Sequence, residues 1–348
     1  MLELTTGNLL DAKVEALVNT VNTFGIMGKG IALQFRLAFP RNFELYQSAC
    51  KRGDVVPGKM FTVPTDRLDN PKFIINFPTK RHWKGKSRIE DIDAGLLDLV
   101  RVIREENIKS VAIPPLGCGN GGLDWKDVRP RILRAVSELP HVQVSLYEPA
   151  GAPHVENMAV ATKRPAMNPN RAALIAMMLD YGEAGYRLTL LEIQKLAYFL
   201  QLAGQPLKLQ FMKQQYGPYA ENLNHVLQRL EGHYIRGYGD RSRDASVRIL
   251  PEASEEVGAF LADDEATASR IARVRELIEG FETPYGMELL ATVHWAASET
   301  NTAAGDQDHV VAAVHNWNER KARTFSPSHI RTAHQQLFSL GWLESHRS

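Results

Sequence analysis

This sequence of 348 residues has little of what several classes of protein require. Its two cysteines, Cys50 and Cys118, do not lie in a Cys and His cluster of the kind that binds zinc, so we expect reduced thiols, a cytoplasmic location and no metal site. No apolar run approaches the roughly 18 residues of a membrane-spanning helix, and the first residues lack the basic and apolar parts of a signal peptide. The net charge of +1 is too small to attract nucleic acid over the whole surface, so such a contact needs a local cluster of cations.

Two glycine-rich segments are present, residues 22–32 and 114–123, each after a β-branched run and before a helical pattern. At such turns glycines let main-chain N–H groups approach a phosphate, and the dipole of the following helix favours its negative charge. Neither common nucleotide motif is complete: Gly30 follows Lys29 where a Walker A loop needs Ser or Thr, and Leu33 replaces the third glycine of a dinucleotide fingerprint. The pair forms either two tight turns or the two sides of a diphosphate site, and we favour the second interpretation.

The order of the predicted elements indicates two domains. Up to residue 152, strand-like runs alternate with helical patterns, the clearest of which is a helix over residues 89–106, and this predicts an α/β fold in which a mixed sheet carries helices on both faces. Residues 153–169 are rich in proline and lack periodicity, so we interpret them as a linker. Residues 170–348 are predicted to form a mainly α-helical domain. Strands are expected at residues 17–21, 59–63, 73–77, 110–113 and 142–147, and the later helices at residues 170–181, 189–203, 218–231, 266–281, 287–298, 310–321 and 329–340.

The first domain resembles a macrodomain, the α/β module that binds ADP-ribose, over about residues 1–150. Within macrodomains it is most similar to the subgroup that contains the human terminal ADP-ribose glycohydrolase and the bacterial DarG antitoxins. The shared motifs are Val21-Asn22-Thr23 with Met27-Gly28-Lys29-Gly30-Ile31-Ala32, then Asn76-Phe77-Pro78-Thr79-Lys80, then Gly117-Cys118-Gly119-Asn120-Gly121-Gly122-Leu123. The resemblance implies an ADP-ribosyl glycohydrolase that needs neither a metal nor a cofactor.

The resemblance also implies which residues contact ADP-ribose. Asn8 and Leu9 are expected near the adenine, although many relatives have Asp in place of Asn8, and Asn22 is expected near the distal ribose. The two glycine-rich segments are expected on either side of the diphosphate. Their implied contacts are Gly28, Lys29, Gly30, Ile31, Ala32, Gly117, Cys118, Gly119, Asn120, Gly121, Gly122 and Leu123. Elementary chemistry supports the glycines more strongly than Asn22, since amide side chains also stabilise turns.

Lys80 ends a run that is typical of a buried strand, and the carboxyl ends of strands in open α/β sheets face the crevice where ligands bind. A lone lysine is usually solvated, but the resemblance implies that Lys80 is the catalytic residue. Two roles remain open. The amine either adds to the anomeric carbon of the ribose, which requires loss of its proton, or remains protonated and stabilises the departing group.

The second glycine-rich segment departs from the human relative, which carries an acidic residue at the position of Gly121. The nearest carboxylate in this chain is Asp124. Asp124 either takes the place of the missing acid or caps the helix that follows it.

A basic segment directly follows the expected catalytic lysine and contains the residues Arg81, His82, Trp83, Lys84 and Lys86. Its cations can neutralise phosphates and its indole can stack on an unpaired base, whereas the alternative is an ordinary solvated loop. We expect these five residues to contact DNA. That fits a DarG-like protein, which removes ADP-ribose from thymidine bases of single-stranded DNA.

The helical half resembles the C-terminal domain of DarG antitoxins in residues 190–200, 216–219 and 231–235. This implies that it neutralises a DarT-type DNA ADP-ribosyltransferase by binding it directly. Loop-borne tyrosines often anchor such contacts, and we expect that role of Tyr216, Tyr219, Tyr234 and Tyr238. Two alternatives for the whole chain remain, namely an ADP-ribose reader without catalysis and a hydrolase of ADP-ribose linked to glutamate in proteins.

Overall fold

Two units, Met1–Lys163 and Arg164–Ser348, make up the protein in the computed structural model. The structure describes residues 1–28, 30–149, 159–183, 188–238, 246–300 and 306–343. Lys29 and the first part of the predicted linker lie outside these residues. No helix among the described residues is long and apolar enough to cross a membrane.

The first unit contains a six-stranded mixed sheet with the strand order β1-β6-β5-β2-β4-β3. The first five strands of this order run parallel to one another, and β3 pairs antiparallel with β4. Its elements are β1 (Leu2–Thr5), β2 (Ala16–Asn22), α1 (Gly30–Ala38), α2 (Pro40–Arg52), β3 (Phe61–Pro64), β4 (Phe73–Lys80), α3 (Ile89–Glu105), β5 (Ser110–Ile113), α4 (Trp125–Val136) and β6 (Gln143–Tyr147).

Helices cover both faces of this sheet. Successive strand residues point to opposite faces, so Val18 and Leu17 of β2 enter different clusters. Val18 packs in the cluster that contains Ile92 of α3 and Ile132 of α4, whereas Leu17 packs in the cluster that contains Phe35 of α1. This confirms the predicted class, a mixed sheet with helices on both faces.

The five predicted strands and the helix predicted at residues 89–106 are all present, with ends that differ by at most three residues. The strand β1 was not predicted: its four residues alternate between apolar and polar side chains but lie mostly exposed at the edge of the sheet. β1 matters for the site, since it is parallel to β6 and therefore ends at the same edge as the strands beside it.

The second unit is mainly helical, as predicted, and its core is one large cluster of buried apolar side chains. Its elements are α5 (Pro169–Glu183), α6 (Leu190–Leu202), β7 (Phe211–Gln214), β8 (Gly217–Ala220), α7 (Leu223–Leu230), β9 (Ile235–Arg236), β10 (Arg248–Ile249), α8 (Pro251–Leu261), α9 (Glu265–Ile278), α10 (Pro284–Thr300), α11 (Gln307–His315), α12 (Glu319–Thr324) and α13 (Pro327–Ser339).

Three details of the helical prediction were wrong. The helix predicted at 218–231 begins only at Leu223, because residues 217–220 pair antiparallel with β7 instead. The helix predicted at 310–321 is divided in two, since the Asn318 side chain accepts a hydrogen bond from the Lys321 amide at 2.9 Å and caps a new helix. The helix α8 was not predicted.

Candidate functional site

The site lies where three neighbouring parallel strands end. The carboxyl ends of β5, β2 and β4 meet at one edge of the sheet, and each leads directly into a predicted functional segment. We call residues 22–32, which follow β2, loop 1, and residues 114–123, which follow β5, loop 2. Lys80 is the last residue of β4 and pairs with Asn22 in the register of the two strands. The strand order therefore brings both loops and the lysine together, as expected for ligand sites in open α/β sheets.

In loop 1 the Asn22 side chain holds the turn. Its Oδ1 atom accepts hydrogen bonds from the amides of Phe24 at 2.9 Å and Ile26 at 3.4 Å, and its Nδ2 atom donates to the Ile26 carbonyl at 2.6 Å. The buried Tyr46 hydroxyl donates to the Asn22 carbonyl from below. In the described structure Asn22 therefore stabilises the turn, which was the alternative to a ribose contact.

The last residues of loop 1, from Gly30 onwards, form the start of α1, and this end of the helix faces loop 2. The first N–H groups of a helix, in α1 including those of Ile31 and Ala32, have no partner within it. Gly30 has a φ of +52°, and a Cβ atom there would stand 3.2 Å from the Nδ2 atom of Asn120 in loop 2. The two loops are therefore neighbours, and free helix amides lie beside the space between them.

Loop 2 is a tight turn that is closed by main-chain hydrogen bonds. Leu123 donates to the Gly117 carbonyl at 3.1 Å and Gly122 donates to the Gly119 carbonyl at 3.0 Å. Within the described part of the chain, the amides of Gly119 and Asn120 donate no such bond, and both residues are exposed. Such free donors suit an anion.

Gly121 is a glycine because nothing larger fits. A Cβ atom there would stand 2.1 Å from the Gly117 carbonyl oxygen and 2.3 Å from the Ser87 Oγ atom. The Gly121 carbonyl also accepts a hydrogen bond from the Ser87 amide at 3.0 Å. The loop in this conformation therefore excludes the acidic side chain that the human relative carries at the corresponding position.

Asp124 caps α4, which confirms one of its two predicted roles. Its Oδ1 atom accepts a hydrogen bond from the Lys126 amide at 2.9 Å, and the helix begins at the next residue. Burial, and then the charge of Asp124, raise the pKa of the nearby Cys118 thiol to about 11. Cys118 is thus a protonated thiol at neutral pH, a form that is a poor nucleophile.

Lys80 reaches loop 2. Its Nζ atom donates a hydrogen bond to the Asn120 carbonyl, and its own carbonyl accepts from the Thr23 amide of loop 1 at 3.0 Å. Partial burial lowers the pKa of the Lys80 ammonium from its usual value. Lys80 is therefore tied to both loops, and its amine loses its proton more easily than a solvated lysine does.

At the end of β1, Asn8 and Leu9 lie on the same edge of the sheet. The Asn8 Oδ1 atom accepts from the Leu10 amide at 3.2 Å and caps a short 3-10 helix, Leu9–Asp11. The Asn8 Nδ2 atom is buried and has no hydrogen-bond partner among the described residues. Leu9 is buried in the core beneath, so a ligand meets its main chain rather than its side chain.

The basic segment, residues 81–86, runs from Lys80 towards loop 2. The Arg81 guanidinium makes two hydrogen bonds to the Asp91 carboxylate, at 2.9 and 3.2 Å, so its charge is balanced within the protein. Lys84 and Lys86 are exposed and form no ion pair in the described parts of the chain. Of the predicted cations, these two lysines are the ones left for a phosphate.

Two of the four tyrosines predicted as exposed anchors in the second unit are buried, so that expectation was wrong for them. Tyr234 is 1% exposed and its hydroxyl donates to the Pro165 carbonyl at 2.6 Å, and Tyr238 is 2% exposed with its hydroxyl on Asn224 at 2.9 Å. Tyr216 and Tyr219 are partly exposed and already engaged, since the Arg320 guanidinium lies 4.6 Å from the Tyr216 ring and the Tyr219 hydroxyl accepts from Asn224.

Comparisons with known proteins show which proteins the chain is similar to. A family model described as Macro domain matches residues 18–132. Over 343 residues the chain is 49% identical to a DNA ADP-ribosyl glycohydrolase of Thermus aquaticus, a match that covers 99% of this chain and 94% of the relative. A DNA ADP-ribosyl transferase-DNA ADP-ribosyl glycohydrolase fusion protein of Thermosipho africanus is 35% identical over 163 residues, or 42% of each chain. The solved macrodomain of Mycobacterium tuberculosis DarG is 59% identical, with a TM-score of 0.43, and the match covers 43% of this chain and 99% of that one.

Proposed function

The chain belongs to the family of DarG-type DNA ADP-ribosyl glycohydrolases, and from this premise we propose that it removes ADP-ribose from thymidine bases of single-stranded DNA, with Lys80 as the catalytic residue. The observation that carries the proposal is the position of Lys80 at the end of β4, with its amine on the Asn120 carbonyl and its main chain on loop 1. A ligand held between the two loops meets this amine.

Two pairs of main-chain amides bind the diphosphate, one pair for each phosphate. Those of Ile31 and Ala32 at the start of α1 face one phosphate, and those of Gly119 and Asn120 in loop 2 face the other. The Asn8 Nδ2 atom, which has no hydrogen-bond partner among the described residues, offers an N–H donor that suits a ring nitrogen of adenine.

The reaction breaks the bond between the anomeric carbon of the ribose and the thymine base, and water supplies the hydroxyl group to the sugar and the proton to the base. The neutral Lys80 amine can add to the anomeric carbon as the base departs, after which water releases the sugar. The protonated amine can instead stabilise the departing base electrostatically. Partial burial, which lowers the pKa of Lys80, favours the neutral amine, and a bound diphosphate opposes it.

The test is incubation of the full chain with two substrates, a single-stranded oligonucleotide ADP-ribosylated on thymidine and a protein ADP-ribosylated on glutamate. The proposal expects release of ADP-ribose from the DNA. Release from the protein alone would favour a hydrolase of ADP-ribose linked to glutamate. Binding of ADP-ribose without release from either substrate would favour an ADP-ribose reader without catalysis.

We further propose that the second unit neutralises a DarT-type DNA ADP-ribosyltransferase by direct binding, in the cytoplasm. Two observations support this: the resemblance of the helical half to antitoxin domains, and the relative whose name joins a transferase and a glycohydrolase in one chain. With Tyr234 and Tyr238 buried, the contact depends on other residues, of which Tyr216 and Tyr219 are partly exposed.

Co-expression of the toxin with the full chain carrying Lys80→Ala separates this binding from hydrolysis. The variant should still form a complex with the toxin and protect the cell in part, because its second unit is unchanged. If neither a complex nor protection is found while the wild-type chain protects, sequestration plays no part and hydrolysis alone is responsible.

A further inference from the structure

Phe24, at the tip of loop 1, is an exposed aromatic side chain to which the proposed reaction gives no role. It is 59% exposed. The main chain that presents it is fixed, because the Asn22 side chain accepts from the Phe24 amide at 2.9 Å and the Thr23 hydroxyl donates to the Arg81 carbonyl at 2.6 Å. Loop 1 therefore holds this apolar ring in water at a defined place beside the basic segment.

Phe24 stands at one end of a row of three rings. Its ring meets the His82 ring edge-on, with 4.8 Å between centroids, and His82 stacks on Trp83 at 5.7 Å with an angle of 25°. The Lys84 Nζ atom lies 4.6 Å from the centre of the Trp83 ring. Trp83 is half-buried and contacted by both His82 and Lys84, whereas Phe24 is exposed and contacted by His82, so Phe24 is more open to a partner than the tryptophan predicted from the sequence.

The Phe24 ring and the Lys80 amine contact different segments of the chain. The Lys80 amine is directed to the Asn120 carbonyl in loop 2, whereas Phe24 lies against His82 in the segment that follows Lys80. The base attached to the reacting sugar must be at the amine, so a ring on the His82 side is available to a neighbouring nucleotide of the same strand. Lys84 and Lys86 stand in this segment with charges that no ion pair in the described chain balances, and they suit the phosphates of that strand.

We propose that Phe24 stacks on the unpaired base that flanks the modified thymidine, with His82 and Trp83 supporting its ring. The inference rests on the proposed function and adds to it a contact with the DNA strand beside the modified thymidine. Every base has a face on which an aromatic ring can stack, so the contact tolerates any sequence, but it requires a base that is not paired in a duplex. Phe24 thereby selects single strands over the same modified thymidine within a duplex.

The test compares two single-stranded oligonucleotides that carry the same ADP-ribosylated thymidine and the same phosphates. In one the flanking nucleotides are normal, and in the other they are abasic. For the full-length Phe24→Ala variant, we expect kcat/KM on the normal oligonucleotide to fall about tenfold, the loss of one base–aromatic stack, while the difference between the two oligonucleotides disappears. Phe24→Tyr should retain the preference for flanking bases. Leu97→Ala, which removes another exposed apolar side chain, from α3, is the control.

A failure of the Phe24 role can be told apart from a failure of the proposed function. An equal loss on both oligonucleotides, or no loss on either, would overturn the role of Phe24 while leaving the hydrolase intact. If the wild-type chain releases no ADP-ribose from either oligonucleotide, the proposed function itself fails and the inference falls with it. Calorimetric binding of free ADP-ribose shows whether loop 1 is intact in the variant.

Discussion

The Lys80 side chain combines two properties that a solvated lysine lacks. It is partly buried, which lowers its pKa, and its amine is held against a main-chain carbonyl rather than a carboxylate. A carboxylate partner would stabilise the ammonium form, whereas a carbonyl accepts a hydrogen bond from an amine in either state. The surroundings in the unliganded protein therefore favour the neutral amine more than a salt bridge would.

The pH dependence of kcat tests which form of Lys80 acts. If the neutral amine is the nucleophile, kcat rises with pH and levels off near the pKa that Lys80 has in the substrate complex, where burial lowers the pKa from the usual 10.5 and the bound diphosphate raises it. We expect this rise in single-turnover measurements on the modified oligonucleotide. A kcat that falls over the same pH range would show that the ammonium is the active form and that Lys80 acts by its charge.

Gly121 tests whether loop 2 has the conformation described. In Gly121→Ala the new methyl group meets the Gly117 carbonyl, and we expect a loss of about 1–3 kcal/mol in the free energy of unfolding of the first unit, as in other overpacked sites. Gly119→Ala is the matched control, since a Cβ atom there has no neighbour within 4 Å. Hydrogen exchange of the β4 and β5 amides reports the difference, and equal effects of the two substitutions would contradict the structure of the loop.

At the scale of elements, much of the fold could be predicted because its signals are local. Short apolar, strand-like runs predicted β2, β4 and β5, and a stripe of apolar residues predicted α3. The order of the strands is not a local property, so their shared edge became visible only in the structure. The division of the helix predicted at 310–321 and the hairpin of β7 and β8 were missed because caps and strand pairing there override helical periodicity.

Close packing of α3 on β4 supports the strand that carries Lys80, and a glycine makes it possible. A Cβ atom on Gly95 of α3 would stand 2.3 Å from the Phe77 ring of β4. We expect Gly95→Ala to lower the free energy of unfolding of the first unit by about 1–3 kcal/mol. Gly258→Ala, in an open position of α8, should instead stabilise its helix by up to about 1 kcal/mol. Hydrogen exchange of α3 and α8 measures both effects, and a neutral Gly95→Ala would mean that the two elements are not in close contact.

At the scale of the whole molecule, a net charge of +1 gives no general attraction to DNA, so binding of the strand depends on the few unbalanced cations near the site. The sequence predicted five DNA-contacting residues in one segment. The structure distinguishes them by their ion pairs. Arg81 pairs with Asp91, whereas Lys84 and Lys86 form no ion pair among the described residues. Sequence alone did not predict this difference, nor the open ring of Phe24, because both depend on contacts between distant segments.

Salt dependence measures this local charge. Each phosphate neutralised in a single strand contributes about 0.7 to the slope of log K against log salt, so Lys84 and Lys86 together should make the slope for the modified oligonucleotide steeper than that for free ADP-ribose by about 1.4. The Lys84→Ala/Lys86→Ala double variant should lose this excess. Lys109→Ala removes an exposed lysine just before β5, at the opposite edge of the sheet, and should retain it. Equal slopes for the two ligands in the wild type would exclude the basic segment from DNA binding.

The most direct measurement is hydrolysis and binding by Lys80→Ala in parallel. Release of ADP-ribose from thymidine-modified single-stranded DNA should be abolished, while calorimetry should find the affinity for free ADP-ribose within about tenfold of wild type, a difference of at most about 1.4 kcal/mol. Lys72→Ala, which removes the lysine just before the other end of β4, should hydrolyse normally. Near-normal release by Lys80→Ala would show that the chemistry belongs to another residue and would contradict the catalytic role of Lys80.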